Sequence, residues 1–302
     1  MKKNMPNLYE LIDMNNPATI MAEVSNIALT INPQVDFKPL DGVYQDVLRL
    51  FAGSFPGYQG CKTAYHDIFH TMDVLLASVR LVHGAATTGA AFSVDDINHL
   101  ILAALMHDTG YIQRQSESGG TGAQFTAVHV ERSIEFVSSY FRNHAQIKVD
   151  LEAMAQILHC TGLNTNIEAI AFRSEQTRLL GFILGTGDLL GQMSDRYYVE
   201  KLPILYQEFQ EGGIPGFASD VDLMRGTPGF YAMSKQRFTD VLGGVNRFMK
   251  NHFRARWDIN DDLYTLSIER NLAFLQSFVG VPDCKTKPKR TCRLPDGNTH
   301  SS

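Results

Sequence analysis

Cysteine is scarce in this chain: Cys61, Cys160, Cys284 and Cys292 are the four in 302 residues, and only the last two lie even loosely close. A chain of this length needs no covalent staples, so a small disulfide-bonded secreted scaffold is excluded, and the thiols read as reduced ones in a cytoplasm. Long apolar runs are missing as well. None approaches the ~18 residues that a membrane-crossing helix needs, and no apolar leader core follows the basic opening Met1-Lys2-Lys3. This predicts a soluble, unexported, cytoplasmic protein with no membrane partner. No block of like charge occurs apart from the cations between Lys285 and Arg290, and the net charge of −5 is mild. A nucleic-acid polymer, which demands a basic face, is thereby excluded as a partner, while small anions remain within reach of local charge. Internal repeats, low-complexity tracts and strand-length alternation of apolar and polar residues are also wanting, which argues against solenoid, disordered and β-rich folds.

What is present is apolar material in helical rhythm. Hydrophobic residues make up 44% of the chain, enough to bury a substantial core, and they recur at intervals of three and four, so an all-α fold is predicted. Turn signals divide the helices at Asn32-Pro33, Ser54 to Gly60, His83 to Ser93, Glu117 to Gly122, Gly162 to Asn166, Gly212 to Gly216 and Gly226 to Gly229. The first forty residues carry Pro6, Pro17, Pro33 and Pro39, which suits short helices wrapped on a larger unit.

Two segments carry candidate chemistry. Residues 65–74 read YHDIFHTMDV, in which His66, His70 and Asp73 stand at i, i+4 and i+7, one face of a helix. A lone histidine on an apolar helix is usually a satisfied core residue, but three polar groups on one face weaken that reading. Residues 100–110 read LILAALMHDTG, an almost wholly apolar helix that ends in the adjacent pair His107-Asp108. Ionisable groups at the end of a buried helix are costly unless paired or metal-bound. Adjacent residues point ~100° apart on a helix, so both reach one ion only near the helix end, where the chain already turns toward Gly110.

His70, His107-Asp108 and the later Asp188, in Gly187-Asp188-Leu189-Leu190, match the H…HD…D pattern of the HD superfamily. YHDIFHTMDV also resembles the first signature of the class I cyclic nucleotide phosphodiesterases, and ALMHD their second, over roughly residues 60–200. The resemblance implies an HD-domain helical bundle, with additional N- and C-terminal helices packed on it. Residues 1–58 would form a helical extension, 59–211 the metal-binding catalytic core, 212–280 helices completing the same domain, and 281–302 a flexible tail. It further implies that His70, His107, Asp108 and Asp188 hold a first metal, that Asp108 bridges to a second, and that His66 gives a proton to the leaving oxygen. Asp67 and Asp73 would orient imidazoles by accepting their other N–H. The chain departs from the phosphodiesterases at Tyr111, where they carry a further histidine. Of their purine-clamping glutamine and aromatic it offers only Gln236 with Phe238 as a faint counterpart.

His129 and His159, each on a helix among apolar neighbours, resemble the fourth and fifth ligands of six-ligand HD proteins. That gives a favoured set of His70, His107, Asp108, His129, His159 and Asp188, with histidines packed structurally as the alternative for His129 and His159. The cofactors implied are two divalent metal ions, from among Mn, Fe, Zn, Mg, Co and Ni, clamping a hydroxide as nucleophile. The substrate implied is a small phosphorylated molecule, such as a cyclic nucleotide or another nucleotide phosphate, and a homodimer is open. Arg114, Arg132 and Arg196 are candidate phosphate clamps, although a surface ion pair is the commoner role for each. The Gly- and Ser-rich stretch 116–122 is read equally well as a lid or as a plain connector. An HD-type di-iron oxygenase and a non-catalytic nucleotide sensor are the competing functions. His83, His99, His144, His252 and His300 are read as lying outside the site, with His252 and His300 near exposed ends.

Overall fold

In a computed structural model, which describes residues 6–144 and 147–279, the chain is all-helical. The helices are α1 (Pro17–Ile31), α2 (Phe37–Phe51), α3 (Ile68–Ala86), α4 (Val94–Met106), α5 (His129–Asn143), α6 (Leu151–His159), α7 (Glu175–Ser194), α8 (Tyr198–Glu211), α9 (Asp220–Asp240), α10 (Phe248–Trp257) and α11 (Leu263–Val279). No strand occurs among the described residues; the nearest approach is an isolated bridge between Tyr58 and Arg114. The expected tail at 281–302 lies outside them.

The helices begin where the sequence supplies side-chain acceptors for orphan amides. Asn16 caps α1 ahead of Pro17 at the first helical position, Ser93 and Asp96 form a capping box on α4, and Ser174 and Ser219 cap α7 and α9. Helix α3 is the axis of the molecule. Every residue from His70 to Ala85 is buried, because α1, α4, α7 and α10 all pack against it. A helix buried on all sides must be apolar nearly all round, so the polar groups it keeps need partners within the core.

Helix α7 reaches α3 closely through glycine. A Cβ on Gly187 would stand 2.3 Å from Ser78 Oγ, and one on Gly191 would stand 3.0 Å from the Val74 nitrogen. Two turns earlier, Gly181 and Gly185 make the same kind of approach to Ile157 and Cys160, at and just beyond the end of α6. A side chain at Gly181, Gly185 or Gly187 would force its neighbours apart, and one at Gly191 would press on the α3 backbone, so the four glycines let α7 seat Asp188 where it stands. One apolar core runs through the bundle, from Leu8 to Leu275.

Two expectations about helix boundaries need correction. The signal at Gly226 to Gly229 does not break the chain: α9 runs through it with Pro228 inside. The prolyl ring costs the helix one amide donor there, while the preceding Thr227 Oγ1 donates to the Leu223 carbonyl (3.0 Å). Likewise α3 continues past His83 to Ala86. The other five breaks fall between helices. His252, read as near an exposed end, is fully buried on α10, with Nδ1 3.1 Å from Nδ1 of the buried His83.

Candidate metal centre

Leu100 to Met106 are wholly buried, and α4 stops at His107, whose backbone is still helical while that of Asp108 has left the helix. Three contacts fix this turn. Thr109 Oγ1 donates to the Met106 carbonyl (2.8 Å), the buried Ser133 Oγ donates to the His107 carbonyl (2.6 Å), and the same hydroxyl accepts from the Gly110 amide (2.9 Å). Gly110 lies so near α5 that a Cβ would stand 1.9 Å from the His129 carbonyl oxygen. The His107-Asp108 turn is therefore pinned to the start of α5, which brings His129 toward Asp108.

On α3, Asp67 is the N-cap and accepts from the His70 amide (2.9 Å), so His70 sits in the first turn. His66 consequently precedes the helix instead of lying on its face, and Asp67 serves the backbone rather than an imidazole. Asp73 is buried on α3, where its charge bears on Lys201 and Tyr264.

Four side chains converge. His70 Nε2 lies 3.3 Å from Asp108 Oδ2 and 3.3 Å from Asp188 Oδ1, while His107 Nε2 lies 3.2 Å and 3.8 Å from the same two atoms. His107 donates through Nδ1 to the Ala104 carbonyl (2.9 Å), which leaves its Nε2 as the lone-pair nitrogen, 3.4 Å from that of His70. Asp108 Oδ2 is buried and receives no directed hydrogen bond despite both imidazoles. Lone pairs and a carboxylate oxygen crowded this way need a positive charge among them, either a proton or a cation. Burial alone would push the His70 imidazole down, but the Asp108 and Asp188 carboxylates outweigh it and hold it up at about 10. Burial would likewise raise the Asp108 carboxyl, but the two histidines keep it well below the usual carboxylate range. His70, His107 and Asp108 form a buried group whose ligand atoms lie within 4.8 Å of one another and could hold a metal ion. The imidazole and carboxylate donors suit a divalent transition ion, and Ala104 supplies the outer-shell acceptor that such a histidine needs.

His129 stands farther off, with Nε2 3.8 Å from Asp108 Oδ1, and its Nδ1 donates to the Thr126 carbonyl (2.7 Å). Burial holds its imidazole below the ordinary range, which keeps a ligand-competent lone pair on Nε2. His66 donates through Nδ1 to Glu208 Oε2 (2.6 Å), and the other oxygen of Glu208 accepts from the Tyr65 amide (2.6 Å). Glu208 went unpredicted. Its signal in the sequence is a pair of ionisable residues on one face of α8, Lys201 and Glu208, both buried; which histidine it serves depends on tertiary packing.

Several expected residues lie elsewhere. His159, the last residue of α6, has its Nδ1 3.5 Å from Glu131 Oε1 and stands away from Asp108, because its partly exposed ring turns toward that surface carboxylate. Arg114 pairs with the exposed Glu135, Arg132 holds Glu117 and the carbonyls of Gly110 and Ile112, and Arg196 lies over the rings of Tyr9 and Tyr197. None of the three lines the cavity beside this candidate metal centre. The stretch 116–122 is a tethered connector, because Thr121 donates through both its amide and its hydroxyl to Glu211. Gln236 is exposed and Phe238 is buried in the core, so they form no clamp.

The cavity has a volume of about 480 Å³ and opens at one end on His66, His70, Asp108 and Asp188. Its far wall is apolar and comes mainly from α8, α9 and the chain between them. No helix among the described residues is long and apolar enough to cross a membrane.

Among known families, the one described as Npun_R2479-like matches residues 113–243. The match spans α5 to α9, and so includes His129, Asp188 and Glu208 and leaves out His66, His70, His107 and Asp108. No curated protein matches the chain.

Proposed function

We propose that this chain is a metal-dependent phosphohydrolase of the HD type, in which His70, His107, Asp108 and Asp188 would hold a divalent ion and His129, near the other oxygen of Asp108, would be available to a second. The convergence of the buried His70, His107 and Asp108 and the partly buried Asp188 around an Asp108 oxygen that lacks a hydrogen bond carries the reading. Bound divalent ions supply Lewis acidity toward phosphoryl oxygens and an acidified water. The chain's own residues supply the proton. His66 lines the cavity with Nδ1 committed to Glu208, so Nε2 is the nitrogen left for a substrate. As water oxygen bonds to phosphorus and the ester P–O bond breaks, His66 Nε2 delivers a proton to the departing alkoxide. Glu208 holds the ring in place through its hydrogen bond. The largely apolar α8–α9 wall limits the water beside the leaving group.

The His66–Glu208 pair favours hydrolysis over the di-iron oxygenase reading, because an oxygenase has no leaving group to protonate. The free thiols of Cys61 and Cys160 accord with a reducing cytoplasm. The test is hydrolysis of bis(p-nitrophenyl) phosphate or p-nitrophenyl phosphate with Mn²⁺. Turnover is expected in the wild type and absent in His107→Ala and Asp108→Ala. No turnover together with two tightly bound irons and an oxidation-sensitive absorbance would refute the proposal.

A further inference from the structure

The charged groups lining the cavity are those of the candidate metal centre, with His66, His129 and the exposed Glu131 beside them. Much of the remainder is hydrocarbon, with Leu202, Leu205 and Phe209 from α8 and Phe217, Leu223 and Phe230 from the α8–α9 turn and α9, although threonines, Asn164, Gln192 and Tyr198 also line it. No lysine or arginine lines it among the described residues. Arg237, the guanidinium behind its Thr161–Thr165 wall, is engaged with the backbone carbonyls of Gly162 and Leu163. An anion can therefore be neutralised at a single point, the metal centre with His66. A second or third phosphate would lie against apolar wall or beside Glu131, and burying a charge without a partner is strongly unfavourable. The volume falls within the range that holds one small organic molecule.

We infer that the substrate is a phosphodiester bearing one negative charge, with an apolar alkyl or aryl ester arm lying along the α8–α9 wall. This rests on reading the metal centre as a phosphohydrolase site. The phosphoryl group sits at the His/Asp end, water adds to phosphorus, the ester P–O bond breaks, and the arm leaves as an alcohol carrying the proton from His66. Beyond the amides of Gln192 and Asn164, the lining offers threonine hydroxyls, and those of Thr126, Thr161 and Thr227 already donate to backbone carbonyls, so a polar arm finds few free donors. A hydrocarbon arm forfeits no hydrogen bonds on entering. Nucleoside polyphosphates are disfavoured for both reasons.

Calorimetric binding of a series of monoalkyl methylphosphonates, ethyl to octyl, to the Mn²⁺-loaded protein tests this, alongside octylphosphonate, ATP and a cyclic nucleotide. Affinity is expected to rise about fourfold per added methylene, with the singly charged octyl ester tighter than the doubly charged octylphosphonate. Phe230→Ser, at a half-buried position, flattens the series. A flat series in the wild type, or tighter binding of ATP or the cyclic nucleotide than of the octyl ester, overturns the inference. The matching p-nitrophenyl alkyl phosphates separate the two proposals: length-dependent binding without hydrolysis removes the phosphohydrolase reading, and hydrolysis without length dependence removes the apolar arm.

Discussion

The ring of Tyr111 lies face to face between two imidazoles, its centre 4.5 Å from that of His66 and 4.6 Å from that of His129. Tyr111 ends the short turn that begins beside Asp108, so the backbone segment that presents the carboxylate also sets the planes of the proposed acid and the more distant ligand. Stacked rings contribute about 0.5–1.5 kcal/mol beyond simple burial. Tyr111→Phe keeps the stack and is expected to hold turnover within about threefold, whereas Tyr111→Leu is expected to lose up to about tenfold. Steady-state kinetics at saturating Mn²⁺ measures both, and equal losses would show that the stack does no positioning.

Glu208 fixes His66 through a 2.6 Å hydrogen bond. Glu208→Gln keeps the shape but removes the carboxylate that fixes the ring, so a loss of about 10²-fold in kcat is expected, with metal content unchanged. A loss of metal, or unchanged turnover, would contradict that role.

Gly110 is the point where the His107-Asp108 turn touches α5 closely. Gly110→Ala would put a Cβ 1.9 Å from a backbone oxygen that has no rotamer to escape into. A destabilisation of about 1–3 kcal/mol in urea unfolding is expected, together with weaker metal binding as Asp108 and His129 separate. An unaffected midpoint would mean that the turn and α5 are not held as tightly as the geometry requires.

His252 carries a pH prediction away from the site. Burial, and after it the charges of Arg80, His83 and Arg256, hold its imidazole well below 6.5. The folded state therefore binds fewer protons than the unfolded chain once pH falls below about 6.5. Its contribution to stability is complete above that pH and is lost on acidification toward the folded-state value, at up to about 1.4 kcal/mol per pH unit. Urea unfolding between pH 7 and 5 is expected to show this slope in the wild type and a shallower one in His252→Leu; identical slopes would contradict it.

Much of the centre could be read from the chain because ionisable groups are conspicuous in apolar helices. His107-Asp108 ends a run of seven apolar residues, and Asp188 interrupts another apolar stretch. The glycines around Asp188, whose spacing looks unremarkable in a sequence, prove to be what lets α7 approach α3. Glu208 escaped notice because its partner is 142 residues away and no local pattern encodes that pairing. His252 was misread for a related reason: its distance from the described core in sequence says nothing about α10 packing directly on α3. The arginines near the proposed ligands were poor guides as well, since neighbours in sequence on a helix face different directions, and each found an acidic, carbonyl or aromatic partner outside the cavity.

The central claim is that His70, His107, Asp108 and Asp188 form a cation site. It is tested most directly by elemental analysis of metal per chain after equilibrium dialysis against Mn²⁺, comparing wild type with Asp108→Ala and using circular dichroism to confirm that both are folded. One or two ions per wild-type chain and none in the folded variant is the predicted result. A metal-free wild type, or equal metal content in both proteins, would contradict it.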